Sequence, residues 1–196
     1  MEGCGAMDDN ILFEQVKSTS PIFAGKILKL RVDTVKLPNG REATREVIEH
    51  APAVAIVPIT DDGQVVFVRQ YRYPVGEVLL EVPAGKLDDG ELPHECASRE
   101  LEEETGFTAR SMEEVGAFYT TPGFSNELMH LFIARGLSRH APRPDEDEFI
   151  STELIPIERA LDMAKSGQIR DAKTLAGLLM LGCMRDHVPG SAQNQR

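Results

Sequence analysis

One stretch constrains this chain more than any other: Gly85, five residues, Glu91, seven residues, Arg99-Glu100-Leu101, one residue, Glu103-Glu104, one residue, Gly106-Phe107. Glu100, Glu103 and Glu104 stand at i, i+3 and i+4, so on a helix their side chains leave one face and can meet at a point. Like charges at that spacing repel by about a few tenths of a kcal/mol per pair, so a sequence that keeps them together calls for a cation among them. Clustered oxygen ligands suit a hard ion such as Mg2+ or Mn2+, which keeps waters and reaches substrate phosphates as well. The helix is delimited locally. Pro93 fits the first turn, where a missing N–H costs nothing, and Gly106 fits the stop just past the last turn. Cys96, Ala97 and Leu101 can face a core while the acids face out. Upstream, residues 78–82 are apolar except for Glu81 and read as a strand, with Pro83-Ala84-Gly85 as the turn leaving it. Strand, glycine loop and helix form one unit that aims acids at a pocket.

Elsewhere the pattern predicts mostly strands. Two extended stretches flank Leu37-Pro38-Asn39-Gly40 in residues 22–50, and Asn-Gly between such runs is a hairpin signal. That piece is too small to fold alone and needs the rest of the chain, or a second copy, to pack on. Residues 53–60 and 64–71 read as a second pair around Asp61-Asp62-Gly63, apolar enough to be covered on both faces. Residues 112–121 and 128–134 read as further strands, residues 136–148 as a mobile loop ending in four acids, and residues 157–166 and 172–184 as helices.

The spaced residues of 85–107 resemble the Nudix box at every defined position, including the aliphatic Leu101 and the closing Phe107. The likeness extends to the ADP-ribose pyrophosphatase branch of the Nudix hydrolases over roughly residues 21–179. Arg45-Glu46-Val47-Ile48-Glu49-His50, Arg69-Gln70-Tyr71-Arg72-Tyr73-Pro74, Glu81-Val82-Pro83-Ala84-Gly85, residues 118–124 and Asp145-Glu146-Asp147-Glu148-Phe149-Ile150 carry it. In that branch a proline follows the last glycine of the box by about sixteen residues, and Pro122 stands there (122 − 106 = 16).

The resemblance implies an α+β Nudix fold, a mixed sheet sandwiched between helices, with a small amino-terminal antiparallel sheet domain exchanged across a homodimer. The corresponding division is residues 1–20 as a flexible terminus, 21–50 as the small sheet domain, 51–187 as the Nudix domain and 188–196 as a flexible tail. It implies hydrolysis of ADP-ribose to AMP and ribose 5-phosphate with Mg2+, or Mn2+, held by Glu100, Glu104, a shared Glu103, the carbonyl of Ala84 and Glu148. Arg99 would orient the glutamates through charge-assisted hydrogen bonds, with Glu91, otherwise an exposed loop acid, supporting the same network. The general base would come from the acidic loop, Glu146 ahead of Glu148. Arg72 would contact the diphosphate or terminal ribose, Arg45 would lie near the adenine and Glu127 would hold a ribose hydroxyl. A salt-bridged strand residue remains an equal reading for Arg72.

Composition narrows the partners. The 196 residues carry a net charge of −11, which argues against a nucleic-acid backbone but not against a small phosphorylated ligand beside a bound metal. Cys4, Cys96 and Cys183 lie far apart without metal-type spacing, which fits a reducing cytoplasm. No run approaches the roughly 18 apolar residues of a membrane span, and the first ten residues lack the order of a signal peptide. The five histidines form no cluster and no Ser/His/Asp order stands out, so a covalent enzyme intermediate is not indicated. Two alternatives stay open: the same box acting on a nucleotide sugar or oxidised nucleotide, and a non-catalytic nucleotide-binding regulator.

Overall fold

The computed structural model describes residues 11–140 and 149–186. They divide into two compact units. The first takes the described residues through His50 together with Thr121–Glu127, and the second takes Ala51–Thr120 and the described residues from Leu128 onward.

The first unit is an antiparallel three-stranded sheet of β1 (Gln15–Ala24), β2 (Lys29–Lys36) and β3 (Glu42–Glu49) in that order. The Asn-Gly turn closes the β2–β3 hairpin, with Gly40 at φ 85° and its N–H donating to Leu37 O at 2.9 Å. The expectation of a flexible terminus through residue 20 is corrected here, because Gln15–Ala24 pairs along β2. The polar run before Pro21 concealed that strand, which lacks a buried face: all its residues are exposed. Thr121–Glu127 joins this unit through a parallel bridge between Ile48 and Ser125, with Ile48 N–H donating to Phe124 O at 2.7 Å and His50 N–H to Asn126 Oδ1 at 2.9 Å.

The second unit is built on a seven-stranded mixed sheet with the main order β10-β5-β4-β9-β8. Its strands are β4 (Ala53–Ile59), β5 (Gln64–Arg72), β6 (Glu77–Glu81), β7 (Ala84–Lys86), β8 (Phe107–Tyr119), β9 (Leu128–Arg139) and β10 (Ile150–Pro156). Strands β4 and β9 run parallel and every other pair is antiparallel. Every residue of β4 is buried, as its unbroken apolar run demands. Its side chains alternate between two cores. Ala53, Ala55, Val57 and Ile59 meet Ala160, Leu161, Leu178 and Leu181 of α2 (Ile157–Lys165) and α3 (Ala172–Asp186). Val54 and Ile56 meet Cys96, Ala97 and Leu101 of α1 (Pro93–Thr105). Helices therefore cover both faces, the sandwich the sequence implies. On the α3 side the packing is tight enough that a Cβ on Gly177 would sit 2.7 Å from Val57 Cγ2.

Three further differences from the sequence reading are local. Strand β9 runs on to Arg139, shortening the loop expected from residue 136, and the part of that loop from 141 to 148 lies outside the described residues, as do residues 188–196. Pro83-Ala84-Gly85 is not wholly a turn, since β7 begins at Ala84 and pairs with β4. Strand β10 was missed because ISTELIP has only one buried position.

Candidate active site

Helix α1 begins and ends as its sequence requires. Pro93 opens it, the Glu95 carboxylate accepts the Leu92 N–H at 3.3 Å, and Gly106 in the left-handed region (φ 69°) closes it by donating to Glu102 O at 2.8 Å. Burial of Cys96, Ala97 and Leu101 then fixes the rotation of the helix and directs the acids towards the β6–β7 segment.

Arg99 is the hub of the acids. Its Nε and Nη2 each donate to one Glu91 oxygen at 2.9 Å, and its Nη1 donates to Glu100 Oε1 at 2.8 Å and to Glu103 Oε2 at 3.0 Å. The bidentate hydrogen bonds from Arg99 pull the Glu91 carboxyl down to about 2, against a smaller opposing effect of burial. The same bonds hold the guanidinium charged well above its already high range. Glu91 thus lies in the network rather than as a solvated loop acid.

Glu104 is buried, and its Oε2 accepts the Ala84 N–H at 3.1 Å. The glycine beside Ala84 has a steric reason: a Cβ on Gly85 would overlap the Glu100 carboxylate. Glu100 and Glu104 therefore converge on the Ala84–Gly85 backbone, and Glu100 shares Arg99 with Glu103. Among the described residues no group of three His, Cys, Asp or Glu is set to hold a metal ion. The arrangement nevertheless fits a hard divalent cation bound through one or two carboxylates, with water and phosphate oxygens completing the shell.

A second charged cluster escaped the sequence reading. Glu81, 1 % exposed, receives Arg72 Nε at 2.8 Å and Nη2 at 2.7 Å, and also pairs with Lys173. Burial pushes the Glu81 carboxyl up, but the two cations outweigh it and leave it below the ordinary value. Lys173 Nζ also donates to Asp171 Oδ1 at 2.9 Å. Asp171 caps α3 by accepting the Thr174 N–H at 2.9 Å, and Thr174 Oγ1 accepts the Val82 N–H at 2.8 Å. The one signal in the sequence was the lone acid in the apolar run 78–82.

The remaining expected site residues are dispersed. Arg72 is at the end of β5 on Glu81, which is the salt-bridged geometry, with part of its side chain exposed. Arg45 and Glu127 belong to the first unit: Arg45 forks onto Glu14 at 2.6 and 2.9 Å, and Glu127 Oε1 lies 3.4 Å from His50 Nδ1. Glu146 and Glu148 lie outside the described residues. Cys96 is buried with its thiol pushed up to about 12, chiefly by desolvation, so it is not a nucleophile.

Comparison with known proteins identifies the family. Residues 49–178 match the NUDIX domain, and residues 14–48 match the nucleoside diphosphate sugar hydrolase N-terminal domain. The chain is 44 % identical over 165 residues to an ADP-ribose pyrophosphatase of Bacillus subtilis (strain 168), covering 83 % of this chain and 89 % of that one. It is equally 44 % identical, over 170 residues, to a methanol dehydrogenase activator of Bacillus methanolicus, covering 86 % and 92 %. In three dimensions it is similar to the crystal structure of an ADP compounds hydrolase, with a TM-score of 0.79 at 22 % identity over 88 % of this chain and 94 % of that one. A matched domain spanning most of the chain, with Glu100 and Glu103 of its box held on Arg99 beside β7, places this protein in the Nudix hydrolase family.

Proposed function

We propose that this protein hydrolyses the diphosphate bond of ADP-ribose, giving AMP and ribose 5-phosphate. The observation that carries the reading is the identity to an ADP-ribose pyrophosphatase over nearly the full length of both chains. The site supports it chemically. A diphosphate repels an incoming hydroxide, so its oxygens must be neutralised and a water held in line with phosphorus.

Divalent-ion dependence follows from family membership, and Mg2+ or Mn2+ suits the oxygen donors here. The ion would be held by Glu100 and Glu104, with the Ala84 carbonyl, Glu103 and Glu148 contributing. When bound, it supplies charge neutralisation of the phosphate oxygens and lowers the pKa of a coordinated water. The chain's own residues prepare that site: Arg99 orients Glu100 and Glu103, the Ala84 N–H orients Glu104, and Arg72 presents a cation to the diphosphate. Glu146 takes the proton from the attacking water, with Glu148 as the neighbouring alternative. Replacing Glu146 and Glu148 together with Gln costs roughly 10²- to 10⁴-fold in turnover, and unchanged turnover removes both from the role of general base.

Arg45 near the adenine and Glu127 on a ribose hydroxyl complete the substrate contacts. The small sheet domain pairs two copies into a homodimer, which a monomeric mass by light scattering would exclude. The protein works in the cytoplasm. No described helix is long and apolar enough to cross a membrane.

A second reading keeps the site and changes the substrate to another nucleoside diphosphate sugar, favoured by the amino-terminal domain matched at residues 14–48. Release of AMP from ADP-ribose, measured beside a panel of nucleoside diphosphate sugars with Mg2+ and with chelator, separates the two. Fastest turnover of ADP-ribose supports the first reading; faster turnover of another compound supports the second; no turnover of any leaves a binding protein.

A further inference from the structure

Of the charged network around Glu81, the hydrolytic scheme uses only Arg72 and leaves Glu81, Lys173 and Asp171 without a part. Glu81, Val82, Pro83 and Ala84 are consecutive, and each end of this segment serves a different cluster. Glu81 holds Arg72 and Lys173, while the Ala84 N–H holds Glu104. Between them the backbone is pinned twice: the Val82 N–H donates to Thr174 Oγ1 at 2.8 Å, and Pro83 O accepts the Ile56 N–H at 2.9 Å. Arg72, held chiefly by Glu81, also stands within electrostatic reach of Glu104 on α1.

The cluster has two cations and two carboxylates, Arg72 and Lys173 against Glu81 and Asp171. Lys173 and Asp171 are the least replaceable part of it geometrically. Their side chains are only 12 % and 15 % exposed; Lys173 sits in the first turn of α3 and Asp171 just before it, as the cap that fixes Lys173 in place. Without Lys173, both oxygens of a buried carboxylate would fall to Arg72 alone, and the bidentate fork that sets the direction of its guanidinium would lose its backing.

We propose that Lys173, fixed by Asp171 at the start of α3, is a positioning residue that locks Glu81 and thereby aims Arg72 at the substrate diphosphate. The inference rests on the reading of Arg72 as a diphosphate contact. It assigns to α3 a part in substrate affinity, although neither Lys173 nor Asp171 touches substrate.

The test is a double-mutant cycle on ADP-ribose hydrolysis at saturating Mg2+, with Lys173→Met, Arg72→Gln and the double variant, reading KM and kcat separately and Tm alongside. Expected is a rise in KM of about 10-fold for Lys173→Met with little change in kcat, a comparable or larger rise for Arg72→Gln, and no further rise when Lys173→Met is added to Arg72→Gln. Lys173→Arg, which keeps the charge, recovers most of the loss. A lower Tm with unchanged KM, or KM effects that multiply in the double variant, would overturn the proposal and leave Arg72 as a contact. Unchanged KM in Arg72→Gln would overturn the reading beneath it as well. Should Lys173→Met not fold, Asp171→Asn replaces it in the cycle. That variant retains a helix cap and is expected to raise KM about 3-fold only when Arg72 is present.

Discussion

The two charged clusters of the larger unit differ in balance. On α1 a single cation, Arg99, meets Glu91, Glu100 and Glu103, with the buried Glu104 close by on the Ala84 N–H. At the start of α3, two cations meet two carboxylates. In the first cluster one guanidinium is shared by three carboxylates, whereas in the second the cations and carboxylates are equal in number. A set of carboxylates gathered around one cation, in a helix whose neighbouring acids repel, is stabilised by adding a divalent ion. A balanced, largely buried set needs none and serves instead to hold its members in one geometry. The contrast supports the proposal of metal chemistry at α1 and of substrate alignment by the Glu81 network, and both clusters converge on one short segment, residues 81–85.

The largest effect that tests this contrast comes from Glu104. If Glu104 is a ligand, Glu104→Gln removes several kcal/mol of charge stabilisation, and at about 1.4 kcal/mol per factor of ten turnover falls roughly 10²- to 10⁴-fold. Excess Mg2+ would not restore it fully. Next is Arg99→Lys, which cannot fork onto Glu91 while reaching Glu100 and Glu103. The half-saturating concentration of Mg2+ rises roughly 10- to 100-fold, as for other supports of a ligand shell, and turnover at saturating Mg2+ is largely retained. Equal losses at all Mg2+ concentrations would move Arg99 from support to direct chemistry.

Gly85→Ala sharpens the geometric side. A Cβ there occupies the place of the Glu100 carboxylate, so the expected cost is about 1–3 kcal/mol in denaturant unfolding, together with weaker Mg2+ activation. A neutral Gly85→Ala would mean that Glu100 does not rest against β7. The smallest effect is on acid stability. The folded Glu91 carboxyl lies at about 2 against an ordinary 4.5, so its contribution is complete above about pH 4.5 and is lost as pH falls towards 2. Melting temperatures followed from neutral pH down through that window should fall less steeply for Glu91→Gln than for the parent. Parallel curves would detach Glu91 from Arg99.

The α1 cluster was legible because its information is local. Helix spacing, a proline start, a glycine stop and the nearby Gly85 all lie within one continuous stretch, and periodicity converts that order directly into a shared face. The covered strands β4 and β5 were legible for the same reason, as continuous apolar runs. The Glu81 network was not, because its members come from residues 72, 81 and 171–174, and only the packing of α3 against the sheet brings Lys173 to Glu81. Strand β1 was hidden by having no buried face, and β10 by burying one side chain. Arg45 and Glu127 were singled out through the likeness to ADP-ribose pyrophosphatases rather than through any local pattern; in the structure Arg45 pairs with Glu14, and Glu127 lies beside His50.

Binding of Mn2+ to the protein without substrate, followed by electron paramagnetic resonance for the parent, Glu104→Gln and Lys173→Met, tests the contrast between the clusters most directly. The account predicts that Glu104→Gln abolishes or greatly weakens Mn2+ binding while Lys173→Met leaves it near the parent value. Full binding by Glu104→Gln, or its loss in Lys173→Met alone, would contradict the assignment of the ion to α1.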